Sequence, residues 1–531
     1  MSQKSIFPVL GCLGLLVLLG ACITMPEFIP TRITGYLDLG DGGRQPFTLE
    51  VQEVQPIGMD ASVSDASALD AFADASAPDA SAPDAFADAS APDAFADASA
   101  PDASAPDASA PDASAPDASA PDSGPVVGVL CPTPDPIVST YYCPTGNDSN
   151  PGTMSQPKAG LARLIADVQA ASVTSAFYMC RGGQWTGALR LRVPYDVNRR
   201  IIVSAYGPED QPAPILVNNA SEPALNLAPG SNGPVYGGVY VSDLDIRGQG
   251  QAAGALTFRL QREIHLCNLD ISGHLTGIQF SHTVPGSSDF SLKHSRIHDN
   301  AAHGFLGGGD GLEIHGNNFQ RNGRANMLDH NIYVTAGDNI RVTGNYSTLS
   351  AVGPSGTACF GAAAVFHGGL QSNVLIADNV FEEPNASQGC WGIGLDDSSA
   401  GAQGATGVTI RNNTFRNMGN VAIALQSCQD CAVLDNTIES NAGFMTIGVA
   451  APSRTPYNPG SSVPLTRLQV SGNKVTLASG KCFLLDPNVI LDSDSNTCVA
   501  DSFASDTVQD LVLEAWQSQT GFDQASTWST P

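Results

Sequence analysis

The chain has 531 residues and a formal net charge of −28 at pH 7, with 52 acidic and 24 basic side chains. Such an acidic chain argues against nucleic acid as a partner, because phosphate backbones are bound by clustered Lys and Arg. A polyanionic ligand would have to bind at a local positive patch within this negative background.

The N-terminus has the pattern of a secretory signal. A short apolar run covers residues 9–19, and the small residues Gly20 and Ala21 come directly before Cys22. A positive start, a short apolar core and small residues before a cleavage site are typical of exported proteins. The apolar run is also shorter than the ~20 residues that span a bilayer. We therefore expect residues 1–21 to be a signal peptide.

The Leu-Gly-Ala-Cys sequence that ends at Cys22 resembles the lipobox of bacterial lipoproteins. The resemblance implies cleavage before Cys22, acylation of its sulfur, and attachment to a membrane. Ile23 follows the cysteine in place of an acidic inner-membrane retention residue, which favours the outer membrane or the cell surface of the envelope. An ordinary signal peptide and a transmembrane anchor are the alternatives.

Two segments separate the signal from the main domain. Residues 22–59 contain two strand-like runs, Arg32 to Leu39 and Phe47 to Val54, which fit a short hairpin. Residues 60–125 are rich in Ala, Pro, Asp and Ser, and 14 Asp occur there without any Lys or Arg. Because such a tract cannot bury a core and its charges repel one another, we predict an extended, disordered tether.

A helix is predicted over residues 158–171. Its apolar face carries Leu161, Leu164, Ile165 and Val168. We expect this helix to cap the first coil of a strand solenoid, because an uncovered end would expose unpaired strand edges.

Nine segments of the remaining chain repeat the pattern apolar-x-apolar-x-x-Asn-x-apolar. They begin at Val239, Ile264, Phe290, Leu312, Ile340, Val374, Val408, Cys431 and Leu468. The sixth position is Asn in the last six, at Asn317, Asn345, Asn379, Asn413, Asn436 and Asn473. A repeat of this length indicates stacked coils with a shared core, into which the alternating apolar residues point.

We expect each repeated Asn to lie in a tight turn, to accept the left-handed conformation, and to bond the Asn of the next coil as a ladder. Each coil has three strands in this interpretation. The sequence therefore predicts an all-β fold, a right-handed parallel β-helix over residues 126–531.

Residues 138–531 resemble the pectate-lyase-like superfamily. The segment Gly146 to Thr153 resembles the approach to its N-terminal cap, and Glu514 to Gln517 with Gly521, Asp523 and Ser526 resembles a closing segment. The resemblance implies a groove for an extended polymer over the strands that follow the Asn turn. That face carries His303, Arg324, Asp329, His330, Tyr333, His367, Asp396 and Asp397.

Four of these residues are the candidates for polysaccharide lyase catalysis. Arg324 would neutralise a uronate carboxylate, His330 would abstract the adjacent proton, and Tyr333 would protonate the leaving oxygen. Asp329 lies beside them in the sequence and completes the catalytic candidates.

The other four are candidates for binding. His303 and His367 would contact the substrate, and Asp396 with Asp397 could hold calcium. Simpler structural roles are open for the same residue types, since a His at the start of a strand can bond a carbonyl and an Asp pair can cap a turn.

The known catalytic sets of this fold do not recur in the sequence. In polygalacturonases an Asp-Asp pair precedes His-Gly, whereas Asp396–Asp397 follows His367–Gly368 here, and two further motifs of that set are absent. The Asp-Pro-His motif of mannuronan epimerases is absent as well. If the protein is an enzyme, lyase chemistry is therefore favoured over hydrolysis.

Three functions stay open from the sequence. The groove could bind and process an extended acidic polysaccharide, it could belong to a lyase acting by β-elimination, or the protein could be a non-catalytic structural or adhesive surface protein. We expect a monomer.

Ten cysteines remain when Cys12 and Cys22 are excluded. An even number in an exported chain predicts disulfides. Cys482 with Cys498 and Cys359 with Cys390 are the expected loop bridges. The Cys428-Gln-Asp-Cys431 segment fits a local bridge, with a redox pair or half of a metal site as alternatives.

Overall fold

A computed structural model describes two short N-terminal strands and most of the chain from residue 131 onward. The described ranges are 32–38, 44–50, 131–218, 222–227, 235–249, 254–257, 261–280, 288–324, 326–352, 356, 358–396, 403–452, 463–505 and 509–531. The predicted signal peptide, Cys22, the acidic tether and Asp397 lie outside these ranges.

The N-terminal unit contains an antiparallel strand pair. Arg32–Asp38 pairs with Arg44–Glu50, and Gly35 lies opposite Phe47. The second strand begins earlier than the run from Phe47 to Val54 that the sequence suggested, and residues 51–54 lie outside the described ranges.

The described residues from 131 onward form three long sheets, which the chain visits in turn. Sheet A contains Val138–Tyr142, Ser175–Cys180, Ile201–Tyr206, Tyr236–Ser242, Gln261–Cys267, Ser288–Lys293, Glu313–His315, Arg341–Thr343, Gln371–Ala377, Ala405–Arg411, Ala432–Leu434, Leu468–Ser471 and Ile490–Asp494, with Gly337–Asp338 and Cys428–Gln429 paired beside it. Sheet B contains Gln184–Thr186, Ile215–Val217, Asp245–Arg247, Asp270–Ser272, Arg296–His298, Asn318–Gln320, Tyr346–Thr348, Val380–Glu382, Thr414–Arg416, Thr437–Ser440, Lys474–Leu477, Thr497–Val499 and Thr527–Ser529. Sheet C contains Leu189–Arg190, Leu225–Asn226, Ala255–Thr257, Ile278–Phe280, Phe305–Gly307, Ile332–Val334, Ala362–His367, Trp391–Asp396, Val421–Leu425, Thr446–Ala451, Gly480–Leu485, Ser502–Ser505 and Asp510–Leu511.

Strand pairing within the three sheets is parallel, apart from the antiparallel contact of Ser502–Ser505 with Asp510–Leu511. Each coil contributes one strand to each sheet, and the apolar side chains of all three sheets meet in one continuous core. This arrangement is a parallel β-helix and confirms the fold class predicted from the repeat.

The register of sheet A places the nine repeat starts in one column. Val239 lies beside Ile264, and Ile264 beside Phe290. The same register continues through Val374 and Val408. All nine starting residues are buried, because the period-2 pattern directs them into the core.

The repeated asparagines form the predicted ladder. Asn345 donates from its backbone N–H and from Nδ2 to Oδ1 of Asn379, both at 2.9 Å, and Nδ2 of Asn379 donates to Oδ1 of Asn413 at 2.9 Å. The six ladder residues are almost completely buried. Each side-chain amide therefore satisfies groups that water cannot reach.

The expectation that the ladder Asn itself is left-handed is wrong. Positive φ occurs at the residue before it, as at Asp378 with φ 59° and Gly344 with φ 64°. The left-handed residue turns the chain so that the next backbone N–H points along the stack toward the neighbouring Asn side chain. Gly, Asn and Asp are frequent at that position because they accept this conformation readily.

Helices lie near both ends of the described coils. Helix α1, Leu161–Ala170, buries Leu164 and Val168 against the first coils, as its apolar face predicted. Helix α2, Leu513–Thr520, precedes the last strand of sheet B and buries Trp516. Neither helix of the described ranges has the length and hydropathy needed to cross a bilayer.

The Asn ladder ends at the C-terminal closing segment. Asn496 extends the ladder by one coil, and its Nδ2 donates to Oδ1 of Asp523 at 2.9 Å. The same carboxylate accepts hydrogen bonds from Trp516 Nε1 at 2.9 Å and from Ser526 Oγ at 2.7 Å. The closing residues identified from the sequence thus bond the last ladder groups.

Five disulfides join the ten remaining cysteines. The bridges Cys359–Cys390 and Cys482–Cys498 match the expected pairs, and Cys428–Cys431 is the local bridge rather than a pair of free thiols. Two further bridges, Cys131–Cys267 and Cys143–Cys180, connect residues of the first coils.

Candidate functional site

Sheet C brings five of the predicted residues into one cluster. They are His303, His330, Tyr333, His367 and Asp396, here called the sheet C cluster. The residues lie on or directly before four neighbouring strands, whose register places Leu306 beside Tyr333 and His367 beside Asp396. Tyr333 lies between the buried side chains of Ile332 and Val334, so its own side chain points out of the coil.

The members of the sheet C cluster form a continuous series of contacts. Ring centroids are 5.8 Å apart for His303 and His330, 5.3 Å for His303 and Tyr333, and 5.5 Å for His330 and Tyr333. Tyr333 lies 6.1 Å from the His367 ring. Nδ1 of His367 is 3.6 Å from Oδ2 of Asp396, which completes the series.

Hydrogen bonds fix opposite tautomers on two of the histidines. The backbone N–H of His330 donates to Nδ1 of His303 at 3.1 Å, so the proton of a neutral His303 lies on Nε2. Nδ1 of His330 lies 3.2 Å from the carbonyl oxygen of Ala362 and must carry the proton there. His303 can therefore donate through Nε2, and His330 can accept through Nε2.

Burial holds these groups in their neutral forms. It lowers the pKa of His303 to about 4 and, together with the neighbouring His303, lowers that of His330 to about 3. Burial, with a smaller contribution from Asp396, raises the pKa of Tyr333 to about 12. Near neutral pH the site thus contains two uncharged imidazoles and a protonated phenol.

The cluster is accessible through only part of its surface. His330 is 6% exposed, whereas His303, Tyr333, His367 and Asp396 are half-buried. A ligand on the outside of sheet C would contact these four side chains first, with His330 beneath them.

Polar residues that the sequence interpretation missed support the cluster from below. Ser350 Oγ donates to the Ala362 carbonyl at 2.7 Å and accepts the backbone N–H of Asn331 at 3.0 Å. A second, shorter Asn ladder connects Asn300, Asn322 and Asn331. The available signal was an Asn before two of the sheet C strands, Asn300 before Phe305–Gly307 and Asn331 before Ile332–Val334.

The other two catalytic candidates lie in the loop that leads to His330. Oδ2 of Asp329 accepts the backbone N–H of Arg324 at 3.0 Å, and burial raises the pKa of Asp329. The Arg324 side chain is exposed and lines a cavity between sheets B and C. No contact described for Arg324 reaches the sheet C cluster, so the structure does not bring the predicted cation beside His330.

The calcium candidates are only partly described. Asp396 lies beside His367, and Asp397 is outside the described residues. Within the described ranges, one group of three metal-type side chains lies close together, at Cys359, Glu383 and Cys390. Its two sulfurs form a disulfide, so they are not the thiolates that bind metal ions.

No protein-family model matches the chain, and no curated protein matches it by sequence. Among solved structures it is similar to an alginate lyase from Paenibacillus sp. str. FPU-7, with 10% identity, a TM-score of 0.33, and coverage of 73% of this chain and 99% of that one.

It is also similar to the A-module of a mannuronan C-5 epimerase from Azotobacter vinelandii, with 16% identity, a TM-score of 0.38, and coverage of 69% and 95%. A DFA-IIIase from Arthrobacter chlorophenolicus A6 in complex with GF2 has 15% identity, a TM-score of 0.42, and coverage of 70% and 96%. At such low identity and superposition scores these likenesses carry no argument about the reaction of this chain.

Proposed function

We propose that the protein binds an extended acidic polysaccharide along the outside of sheet C and cleaves it by β-elimination. The observation that carries the proposal is the sheet C cluster, in which proton donors and acceptors from four adjacent coils contact one another. Four strands spaced about 4.8 Å apart present a row about 14 Å long, which suits a chain-like ligand better than a single small molecule.

The geometry favours His367 as the base. Asp396, 3.6 Å away, would stabilise the imidazolium that forms when His367 takes a proton. His330, the base predicted from the sequence, is nearly buried, and a pKa of about 3 makes it a weak proton acceptor. His330 therefore serves better as a support for His303 and Tyr333.

Tyr333 is the candidate acid. The proton on the sugar carbon next to the carboxyl group passes to His367, and the electrons of that C–H bond form the new carbon–carbon double bond. The bond to the leaving glycosidic oxygen breaks as that oxygen takes the phenolic proton of Tyr333. Proton transfer from His367 to the phenolate then restores both groups, while the sugar carboxylate accepts a hydrogen bond from Nε2–H of His303.

The test is an absorbance assay for unsaturated uronate ends. The full chain is incubated with alginate, pectate and glucuronate polymers, with and without calcium. We expect absorbance to rise with one polymer, and His367→Ala and Tyr333→Phe to reduce the rate at least a hundredfold. His315→Ala, which alters a half-buried histidine of sheet A, is the matched control. No rise with any polymer, or full activity in His367→Ala, would contradict the proposed reaction.

His330→Ala separates the two candidate bases. If His367 is the base, His330→Ala should retain measurable activity, with a loss that reflects disorder of His303 and Tyr333. Complete loss in His330→Ala with full activity in His367→Ala would instead restore His330 to the role that the sequence predicted.

Binding without cleavage is the second candidate function. It is favoured by the low proton affinity of His303 and His330, which leaves much of the cluster uncharged and suited to hydrogen bonding. Retention of a polysaccharide in affinity electrophoresis without new absorbance would select this function. Absence of both would favour the structural or adhesive interpretation.

We also infer a lipid anchor at Cys22, which would hold the β-helix at the cell envelope. The inference rests on the lipobox-like residues before Cys22 and on the acidic tether that follows. Metabolic labelling with radioactive palmitate should mark the wild-type chain and not Cys22→Ser. Equal labelling of both chains, or none in the wild type, would refute the anchor.

A further inference from the structure

A cavity of about 560 Å³ lies at the turns between sheets B and C. Its lining includes none of His303, His330, Tyr333, His367 or Asp396, so it is distinct from the sheet C cluster. Its walls come from successive turns, beginning at Gly248 and ending near Val352. The volume is in the range of small-molecule sites in proteins.

Glycines let the turns that line this cavity pack closely against one another. A Cβ atom on Gly248 would lie 2.4 Å from Nδ1 of His274, and one on Gly273 would lie 2.8 Å from the carbonyl oxygen of Gly248. Gly273 and Gly323 also have φ of 72° and 96°, which other residues rarely adopt. Backbone groups therefore form the floor, and the exposed polar side chain of Gln249 stands at its edge.

The charged residues that line the cavity within the described ranges are Asp299, Arg321 and Arg324. Asp299 binds Arg321 through two hydrogen bonds of 2.7 and 2.8 Å and contacts Nδ1 of His298 at 2.6 Å. Arg321 and Asp299 thus neutralise each other. The exposed guanidinium of Arg324 makes no ion pair or hydrogen bond within the described ranges, and Asp329, which feels its charge, bonds the Arg324 backbone N–H instead. In a chain of net charge −28, an unpaired Arg at a concave site favours an anionic ligand.

We infer that this cavity binds a carboxylate-bearing sugar unit, with Arg324 contacting the carboxylate. The polar sides and the backbone floor offer hydrogen bonds to hydroxyl groups, and the planar guanidinium matches a carboxylate in two parallel hydrogen bonds. The inference does not depend on whether the sheet C cluster is catalytic. If both sites bind sugar, one polysaccharide chain could contact the sheet C cluster and this cavity, which lies at the neighbouring turns of the same coils.

Titration calorimetry of the full chain tests the site. The probes are the disaccharides of galacturonate, mannuronate and glucuronate at low salt, with the methyl ester of digalacturonate as the uncharged comparison. We expect at least one disaccharide to bind, and Arg324→Ala to weaken that binding roughly ten- to hundredfold, as loss of a charged hydrogen bond does. Arg324→Lys should recover part of the affinity, and the ester should bind as weakly as the acid binds to Arg324→Ala.

Two controls separate the cavity from other sites. Arg341→Ala removes an exposed arginine of sheet A and should leave the affinity unchanged. His315→Ala, at a half-buried histidine of sheet A outside both sites, should also bind the disaccharide normally.

Four results would overturn the inference. They are equal affinity in wild type and Arg324→Ala, loss of binding in His367→Ala alone, no binding of any of the three disaccharides, and inorganic sulfate binding as tightly as the best disaccharide. The second result would place the sugar on sheet C while leaving the proposed function intact.

Discussion

Glu383 should make the stability of the β-helix depend on pH. Its side chain is fully buried directly after the sheet B strand Val380–Glu382. Oε2 accepts the backbone N–H of Leu349 at 3.0 Å, and Oε1 has no hydrogen-bond partner within the described ranges. Its carboxyl group also lies close to the Cys359–Cys390 disulfide. Burial raises the pKa of Glu383 to about 8, compared with an ordinary value of 4.5.

The sign and size of the effect follow from linkage. Between pH 4.5 and about 8 the folded chain keeps a proton that the unfolded chain has lost, so stability falls as pH rises and levels off above pH 8. At ~1.4 kcal/mol for each unit of pKa, the total loss is at most about 5 kcal/mol. Glu383→Gln keeps the shape without the titration and should remove this part of the pH dependence.

Urea unfolding at pH 5, 6.5 and 8 measures the effect. The free energy of unfolding of Glu383→Gln relative to wild type should rise with pH, by several kcal/mol over this range. Glu439→Gln, at an exposed carboxylate of sheet B, should follow the wild type. If the curves for wild type and Glu383→Gln run parallel, Glu383 is not held as a neutral acid and the reasoning fails.

Three further predictions concern the ladder and the site. Asn379→Ala removes four side-chain hydrogen bonds, to Asn345, Asn413 and Val342. It should lower the free energy of unfolding, measured by urea titration, by roughly 3–5 kcal/mol. Asn441→Ala, at an exposed Asn, is the control in the same titration. Asp396→Asn should reduce kcat for elimination by ten- to hundredfold with little change in KM, measured by absorbance, because the imidazolium of His367 loses its partner. Ser350→Ala should lower the melting temperature by several degrees and reduce kcat modestly, because the Ala362 carbonyl that contacts His330 loses the hydrogen bond from Ser350. An unchanged melting temperature and rate would refute the supporting role of Ser350.

The fold could be predicted because its determinants repeat. Each coil must bury the same apolar positions and must satisfy the buried polar groups of the same turn. Val374-x-Ile376 and Asn379 therefore occur again as Val408-x-Ile410 and Asn413. The repeat pattern did not identify Asn496 as a ladder residue, because Ser493 occupies a position that is apolar in the earlier coils. That serine instead donates to Asp523, within the closing segment.

The site was less predictable because the turns between sheets B and C differ in length. Strand register can place Tyr333 and His367 on one face, since side chains alternate regularly along a strand. No such rule applies to Arg324, which lies in the loop before Asp329 and points to a cavity instead of the cluster. The burial of Glu383 was equally hidden, because only the packed coils show that the turn after sheet B folds inward.

The sharpest test of cleavage on sheet C is a crystal structure of His367→Ala with a bound uronate oligosaccharide. We expect electron density along the outside of sheet C, with a glycosidic oxygen within hydrogen-bond distance of the Tyr333 hydroxyl and a carboxylate near Nε2 of His303. A chain bound over sheet A or sheet B, with none along sheet C, would contradict it.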